Sequence, residues 1–255
     1  MQGTNFDKLV AIMAELREKC PWDKKQTIQT LRTLTLEESY ELTDSIIVED
    51  WQGIKEELGD LLLHITFYSK IAEEQGRFNI DDVLAGICEK LVRRHPHIYG
   101  DKSNETLTEE QVLQNWEQLK LKEGKKSVLG GVPKSLPALV KSIRLQEKSK
   151  KVGFEWENKA DVWTKVEEEL KELKEAEQEN DINHIEEEFG DLLFSLINYS
   201  RFLKIDAETA LEKTNIKFKT RFEAMEAMAM EKNVNLGNLT LNELNEMWET
   251  AKNNK

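Results

Sequence analysis

Two stretches of this chain carry the same ordered set of carboxylates. Glu37-Glu38-Ser39-Tyr40-Glu41 has the pattern EExxE, and Glu168-Glu169-Leu170-Lys171-Glu172 repeats it 131 positions later. Glu56-Glu57-Leu58-Gly59-Asp60-Leu61-Leu62 matches Glu187-Glu188-Phe189-Gly190-Asp191-Leu192-Leu193 at the same shift, as does Tyr68-Ser69 with Tyr199-Ser200. Lys90 and Arg94 sit four apart, and so do Lys217 and Arg221. Trp116-Glu117-Gln118-Leu119-Lys120 and Trp248-Glu249-Thr250-Ala251-Lys252 are both WExxK. A repeat of this kind constrains the fold more than any composition does, because one structural plan must serve twice. Spacing within each carboxylate set is fixed, and it varies only afterwards, as surface loops allow.

The plan divides the chain into a first domain (1–123), a linker (124–137) that holds Gly124, Gly130, Gly131, Pro133 and Pro137, and a second domain (138–255). Each half is large enough to support its own core. With four prolines and twelve glycines in 255 residues, and Glu, Lys and Leu dominant, the expectation is an all-α fold. Phe6 to Lys19 reads as a first helix. Thr35 is expected to begin a second, with Glu38 in capping-box position. A long helix from Ile54 through Ile71 and another from Ile80 to Arg94 follow, the latter closed by Pro96. In the second half, Lys159 to Glu179 and Ile185 to Leu203 form the central pair, joined at Asn180-Asp181. Short joints make such pairs antiparallel.

The net charge is −13. That excess disfavours nucleic acid as a partner, which needs a basic face. No apolar run is long enough to span a bilayer, and no N-terminal stretch reads as a signal peptide. Cys20 and Cys88 form no Cys-x-x-Cys pattern, which agrees with a reducing, cytoplasmic setting.

Acidic residues on helices ordinarily form a solvated face, so the informative ones are those out of place. At about 100° per residue, Val162, Trp163, Val166, Leu170, Leu173 and Ala176 make one arc. Glu169 falls inside its edge and Glu172 on its flank. On the partner helix Phe189, Leu192, Leu193, Phe194, Leu196 and Ile197 cover most of the circumference, leaving one polar strip of Glu188, Asp191, Ser195 and Asn198. A helix this apolar is expected to be buried. Glu57, Asp60 and His64 repeat the strip in the first half. Four carboxylates converging on a partly apolar surface repel unless protons or cations intervene. All-oxygen ligands suit Mg²⁺, with Mn²⁺ as the alternative. A cation with open positions then binds phosphate oxygens. Lys217 and Arg221 could hold further phosphates, and Trp248 could stack on a base.

These motifs resemble the MazG family of nucleoside triphosphate pyrophosphohydrolases over nearly the whole chain. The hallmark EExxE, spacer, ExxD stands at Glu37–Asp60 and again at Glu168–Asp191. Cys20-Pro21-Trp22-Asp23, Arg93-Arg94-His95-Pro96-His97 and Val152-Gly153-Phe154-Glu155-Trp156 support it. The resemblance implies tandem helical domains with a four-helix core formed on dimerisation. It implies Mg²⁺-dependent hydrolysis of NTP or dNTP to NMP and pyrophosphate, as nucleotide house-cleaning. Glu169, Glu172, Glu188 and Asp191 match the family's catalytic metal ligands, and Glu38, Glu41, Glu57 and Asp60 match them in the first half. Lys165, Glu168, Lys217, Arg221, Trp248 and Lys252 match its nucleotide contacts. Two-copy members are taken to work through the C-terminal half, although the N-terminal acids here are intact.

Two other classes compete. A ferritin-like di-metal protein needs a His three residues after a Glu on two helices. Here Glu57 is followed by Asp60 and Glu188 by Asp191, and His64 has only Ser195 as its counterpart. A non-catalytic helical scaffold would have no need of buried acids. His95-Pro96-His97 reads as a helix-ending segment, and Cys20 as a packing residue beside Trp22.

Overall fold

The computed structural model describes residues 4–100, 107–108, 111–112 and 127–253. The chain divides into two compact units, Met1–Leu119 and Lys120–Lys255. In the first, α1 is Asn5–Lys19, α2 Ile28–Ile47, α3 Trp51–Glu74, α4 Ile80–Arg94 and α5 Pro96–Tyr99. In the second, α6 is Ala138–Lys150, α7 Lys159–Glu179, α8 Ile182–Phe202, α9 Ala207–Glu231 and α10 Leu241–Asn253. Among the described residues there is no strand, so the fold is all-α. The first WExxK, Trp116 to Lys120, lies outside the described residues, as does part of the linker.

Each unit is organised around one helical hairpin, α2–α3 or α7–α8. The joints are alike: Glu49 (φ 57°) and Asn180 (φ 56°) both take the left-handed conformation. The next residues, Asp50 and Asp181, cap the following helix by accepting from its first free N–H groups. A left-handed C-terminal residue followed by an Asp cap stops one helix and starts the next within three residues in the first unit and two in the second. The helices therefore return antiparallel, and acids at matching distances from the joint meet.

The start of α2 differs from the expectation. Thr27 caps it, with Thr30 closing a reciprocal box, so Thr35 lies a full two turns inside. There its hydroxyl bonds back to Leu31 O and meets Tyr68 Oη at 2.8 Å. The earlier cap wins because it lets Leu31 join the core of Met13, Phe67 and Ile71.

Helix α8 also departs from the expectation of full burial. Phe189 is 53% exposed and Leu193 47%, and Phe194 and Leu196 are exposed too. A single unit holds too few helices to surround α8. What faces its neighbours is largely the polar strip: Ser195 is buried and Glu188 and Asn198 are half-buried, while Asp191 stays exposed. Helix α3 behaves alike, with Leu58, Leu62 and Ile65 exposed and His64, Thr66 and Ser69 buried. Between α9 and α10 lies a separate core of Met225, Ala229, Met247 and Ala251. No helix among the described residues is long and apolar enough to cross a membrane.

Candidate functional site

In the second unit, α7 brings Glu169 and Glu172 beside Glu188 of α8, with one carboxylate oxygen of each within 4.8 Å of the others. Glu169 is only 6% exposed. Lys165, one turn earlier, reaches Glu168 and Glu169, each at 2.7 Å. These two hydrogen bonds hold the Lys165 ammonium well above its ordinary range. Burial, opposed by Lys165 and aided by Glu169 and Glu188, pushes the Glu172 carboxyl up. Glu188 lies 3.3 Å from His184 Nε2. Three of the four expected ligands are therefore in one trio. Asp191 is not in it, but it lines the same cavity as Glu169 and Lys165.

In the first unit, Glu38, Glu41 and Glu57 form an equivalent trio, again within 4.8 Å. Asp60 lies close enough to raise the Glu38 and Glu57 carboxyls. In both cases burial is the largest cause. Glu57 Oε2 is shut off from solvent with no donor, and the Glu38 carboxylate is within hydrogen-bonding reach of Glu57. Two acceptors in that relation need a proton or a cation between them. His64 is buried with Nδ1 unpartnered, and burial lowers its pKa.

The oxygen-only donor sets of both trios fit a hard divalent cation rather than zinc or copper. The orphaned Glu57 oxygen fits the same reading. Both acidic trios are compatible with a divalent ion.

The remaining expected contacts form a second group. Arg221 on α9 stacks over the Trp248 ring of α10, 5.6 Å from its centroid. Phe218 packs against the same ring at 5.2 Å. Lys252 pairs with Glu249 at 3.1 Å, and Lys217 precedes Arg221 by one turn. None of these four lines the acidic cavity. His95 and His97 have rings 5.7 Å apart, and His95 caps α4. Cys20 caps α1, and Trp22 beside it is largely exposed.

Sequence reasoning missed the cavity itself. It has a volume of about 690 Å³ and lies among α6, the Gly153–Trp156 loop, α7 and α8. Gln146 of α6 enters it, 4% exposed, donating from Nε2 to Phe194 O at 2.9 Å. Glu155 of the loop is held by Arg201 and by Lys150. A glutamine within the apolar spacing of α6 was the available signal.

The family model for the MazG nucleotide pyrophosphohydrolase domain matches residues 26–99 and again 159–225. A Thermotoga maritima protein named nucleoside triphosphate pyrophosphohydrolase/pyrophosphatase MazG is 45% identical over 98% of this chain and 96% of its own length. An Escherichia coli nucleoside triphosphate pyrophosphohydrolase is 42% identical over 97% of each chain. An uncharacterised Bacillus subtilis protein, YabN, is 45% identical over 97% of this chain and 51% of its own length.

Proposed function

This chain belongs to the MazG nucleotide pyrophosphohydrolase family, and from that premise we propose that it hydrolyses nucleoside triphosphates to a nucleoside monophosphate and pyrophosphate in its second unit. The observation that carries the choice of unit is the trio of Glu169, Glu172 and Glu188, of which Glu169 lines a cavity of ligand size together with Lys165 and Asp191.

 The four acids Glu169, Glu172, Glu188 and Asp191 would hold Mg²⁺, with Mn²⁺ as the alternative. When bound, such an ion supplies Lewis-acid polarisation of a phosphoryl oxygen and lowers the proton affinity of a water.

The chain's own residues do the rest. Glu172, beside Glu169 and Glu188 in the trio, is placed to orient the attacking water. Water adds to the α-phosphorus, the bond from that phosphorus to the bridging oxygen breaks, and the oxygen leaves with pyrophosphate. Lys165 holds Glu169 in place and offsets part of the acid charge that would repel a triphosphate. Lys217, Arg221 and Lys252 are proposed to meet the phosphates, with Trp248 holding Arg221 and Glu168 holding Lys165. Fixed charges of this kind supply much of the rate in phosphoryl transfer.

We further propose a cytoplasmic homodimer without a nucleic-acid partner. The exposed apolar faces of α3 and α8 support the dimer, since contiguous apolar surface of that kind marks an interface. The domain limits proposed are 1–123 and 138–255, joined by 124–137. Incubation with ATP and Mg²⁺, read by ³¹P NMR, tests the reaction. AMP and pyrophosphate are expected; ADP with orthophosphate, or no turnover, contradicts it.

A further inference from the structure

Helix α6 buries a lysine. Lys148 is 7% exposed, although a lysine is almost never buried unless its ammonium is held. Its Nζ donates to Val128 O at 3.3 Å. Lys141, seven residues earlier and so on the same side of the helix, donates from Nζ to Lys134 O at 2.8 Å. The two lysines fasten both ends of the segment 128–134, which runs back along α6 before the helix begins. Two turns stiffen the stretch between them: Gly130 N donates to Ser127 O, and Val132 N to Leu129 O. Gly131 has a φ of 86°, a conformation that glycine adopts at no steric cost. Leu129 belongs to both turns, and it lines the cavity that Glu169, Lys165 and Asp191 also line.

At the shift of 131 the first unit has Arg17 where the second has Lys148. Arg17 is also largely buried, with 10% of its side chain exposed, and its Nη1 donates to Asp23 O and Gln26 O. Both units thus bury a cation at one register position and aim it at backbone carbonyls. In the first unit those carbonyls follow the helix; in the second, Val128 O precedes it. The loop that follows α6 is held instead through Glu155, by Lys150 and Arg201. The segment 128–134, whose glycines and proline suggest a linker, is therefore packed as part of the second unit, in agreement with the division of the chain at Lys120.

We propose that the segment 128–134 is a fixed wall of the nucleotide-cleaving site, with Leu129 closing one side of the cavity and Lys148 as the positioning residue that keeps the wall in place. The inference rests on the reading of the second unit as the hydrolytic one, and it adds a part of the site that lies outside 138–255. Lys148 is not among the residues that line the cavity, so it acts through the backbone of Val128. A wall set before the substrate arrives has no ordering cost at binding. Losing the tether should therefore weaken substrate binding rather than slow the bond-breaking step.

Amide hydrogen exchange, read by mass spectrometry, and steady-state kinetics with ATP and Mg²⁺ on the full chain test this. Lys148→Met keeps an unbranched side chain and removes the donor. Peptides covering 128–134 are expected to exchange at least about tenfold faster in this variant, with those of α6 as protected as before. KM for ATP is expected to rise about three- to tenfold, with kcat within about twofold. Leu129→Ala leaves the tether intact. It should raise KM about threefold without altering exchange in 128–134. Unchanged exchange in Lys148→Met, or unchanged KM in both variants, would overturn the proposal. Loss of α6 protection in Lys148→Met would also overturn it, since Lys148 would then serve only the stability of its own helix. If the unaltered chain releases no pyrophosphate from any nucleotide, the activity reading fails by itself, and the exchange comparison still decides whether Lys148 holds the segment.

Discussion

Glu38, Glu41, Glu57 and Asp60 recur as Glu169, Glu172, Glu188 and Asp191, yet the two clusters sit in different surroundings. In the second unit Lys165 reaches Glu169 at 2.7 Å, whereas Leu34 occupies the matching position of the first. One cluster thus carries a built-in counter-charge at a position where the other has a leucine. The first responds by raising two carboxyls, Glu38 and Glu57, mainly through burial; in the second the raised one is Glu172. The second also borders a cavity, and Leu31 and Phe67 of the first, which match its Val162 and Asn198, are packed into the core. The same ligands are therefore kept in two copies with different neighbours.

The largest expected effect separates the two clusters. Glu169→Gln or Glu172→Gln should lower kcat for pyrophosphate release by at least about a hundredfold. Glu38→Gln or Glu41→Gln should leave it within about twofold. A coupled pyrophosphate assay checks this, and equal losses in both sets would erase the distinction between the units.

Next comes the counter-charge. Lys165→Met should lower turnover by about ten- to a hundredfold and should also lower Tm, because Glu169 is buried and loses its cation. Since Lys165 is itself about a third exposed, the cost in stability should be modest, about 1–2 kcal/mol. Calorimetry and steady-state kinetics on the same preparation measure both.

The elevated carboxyls give a third outcome. Where a folded-state carboxyl holds its proton to higher pH than the unfolded one, the folded form loses stability as pH rises through that window. Glu38 and Glu57 therefore oppose folding of the metal-free first unit at neutral pH, and a bound divalent ion relieves this. Glu57→Gln should raise Tm of the metal-free chain at pH 7 and reduce the gain that Mg²⁺ gives. His64, lowered by burial, acts in the other direction, with stability falling as pH drops below its ordinary range. The smallest effect is expected for Leu34→Lys, which supplies the first cluster with the missing cation. It should weaken the pH dependence of metal binding there without creating turnover, since Phe67 still fills the adjoining space.

Much of this arrangement can be read from the chain. The hairpins follow from the repeat, and Asn180-Asp181 marks its joint because Asn tolerates the left-handed conformation and Asp caps a helix. The burial of Glu169 follows from its place on the apolar arc of α7. The start of α2 does not, because Thr27 and Thr35 both suit a cap and only packing of Leu31 decides between them. The exposure of Phe189 and Leu193 was hidden for a related reason: hydrophobicity says that a face needs cover, not whether the same unit supplies it. The cavity was least legible. Gln146 and Phe194, which frame it, are 48 residues apart, and no local pattern reports a space between distant helices.

The central claim is cleavage at the α-phosphorus by the second unit. Hydrolysis of ATP in H₂¹⁸O, followed by mass spectrometry of the products, tests it most directly. The expected result is one ¹⁸O in the phosphoryl group of AMP and none in pyrophosphate, abolished by Glu172→Gln and retained in Glu41→Gln. Label in pyrophosphate, or label in AMP that survives Glu172→Gln and disappears with Glu41→Gln, would contradict it.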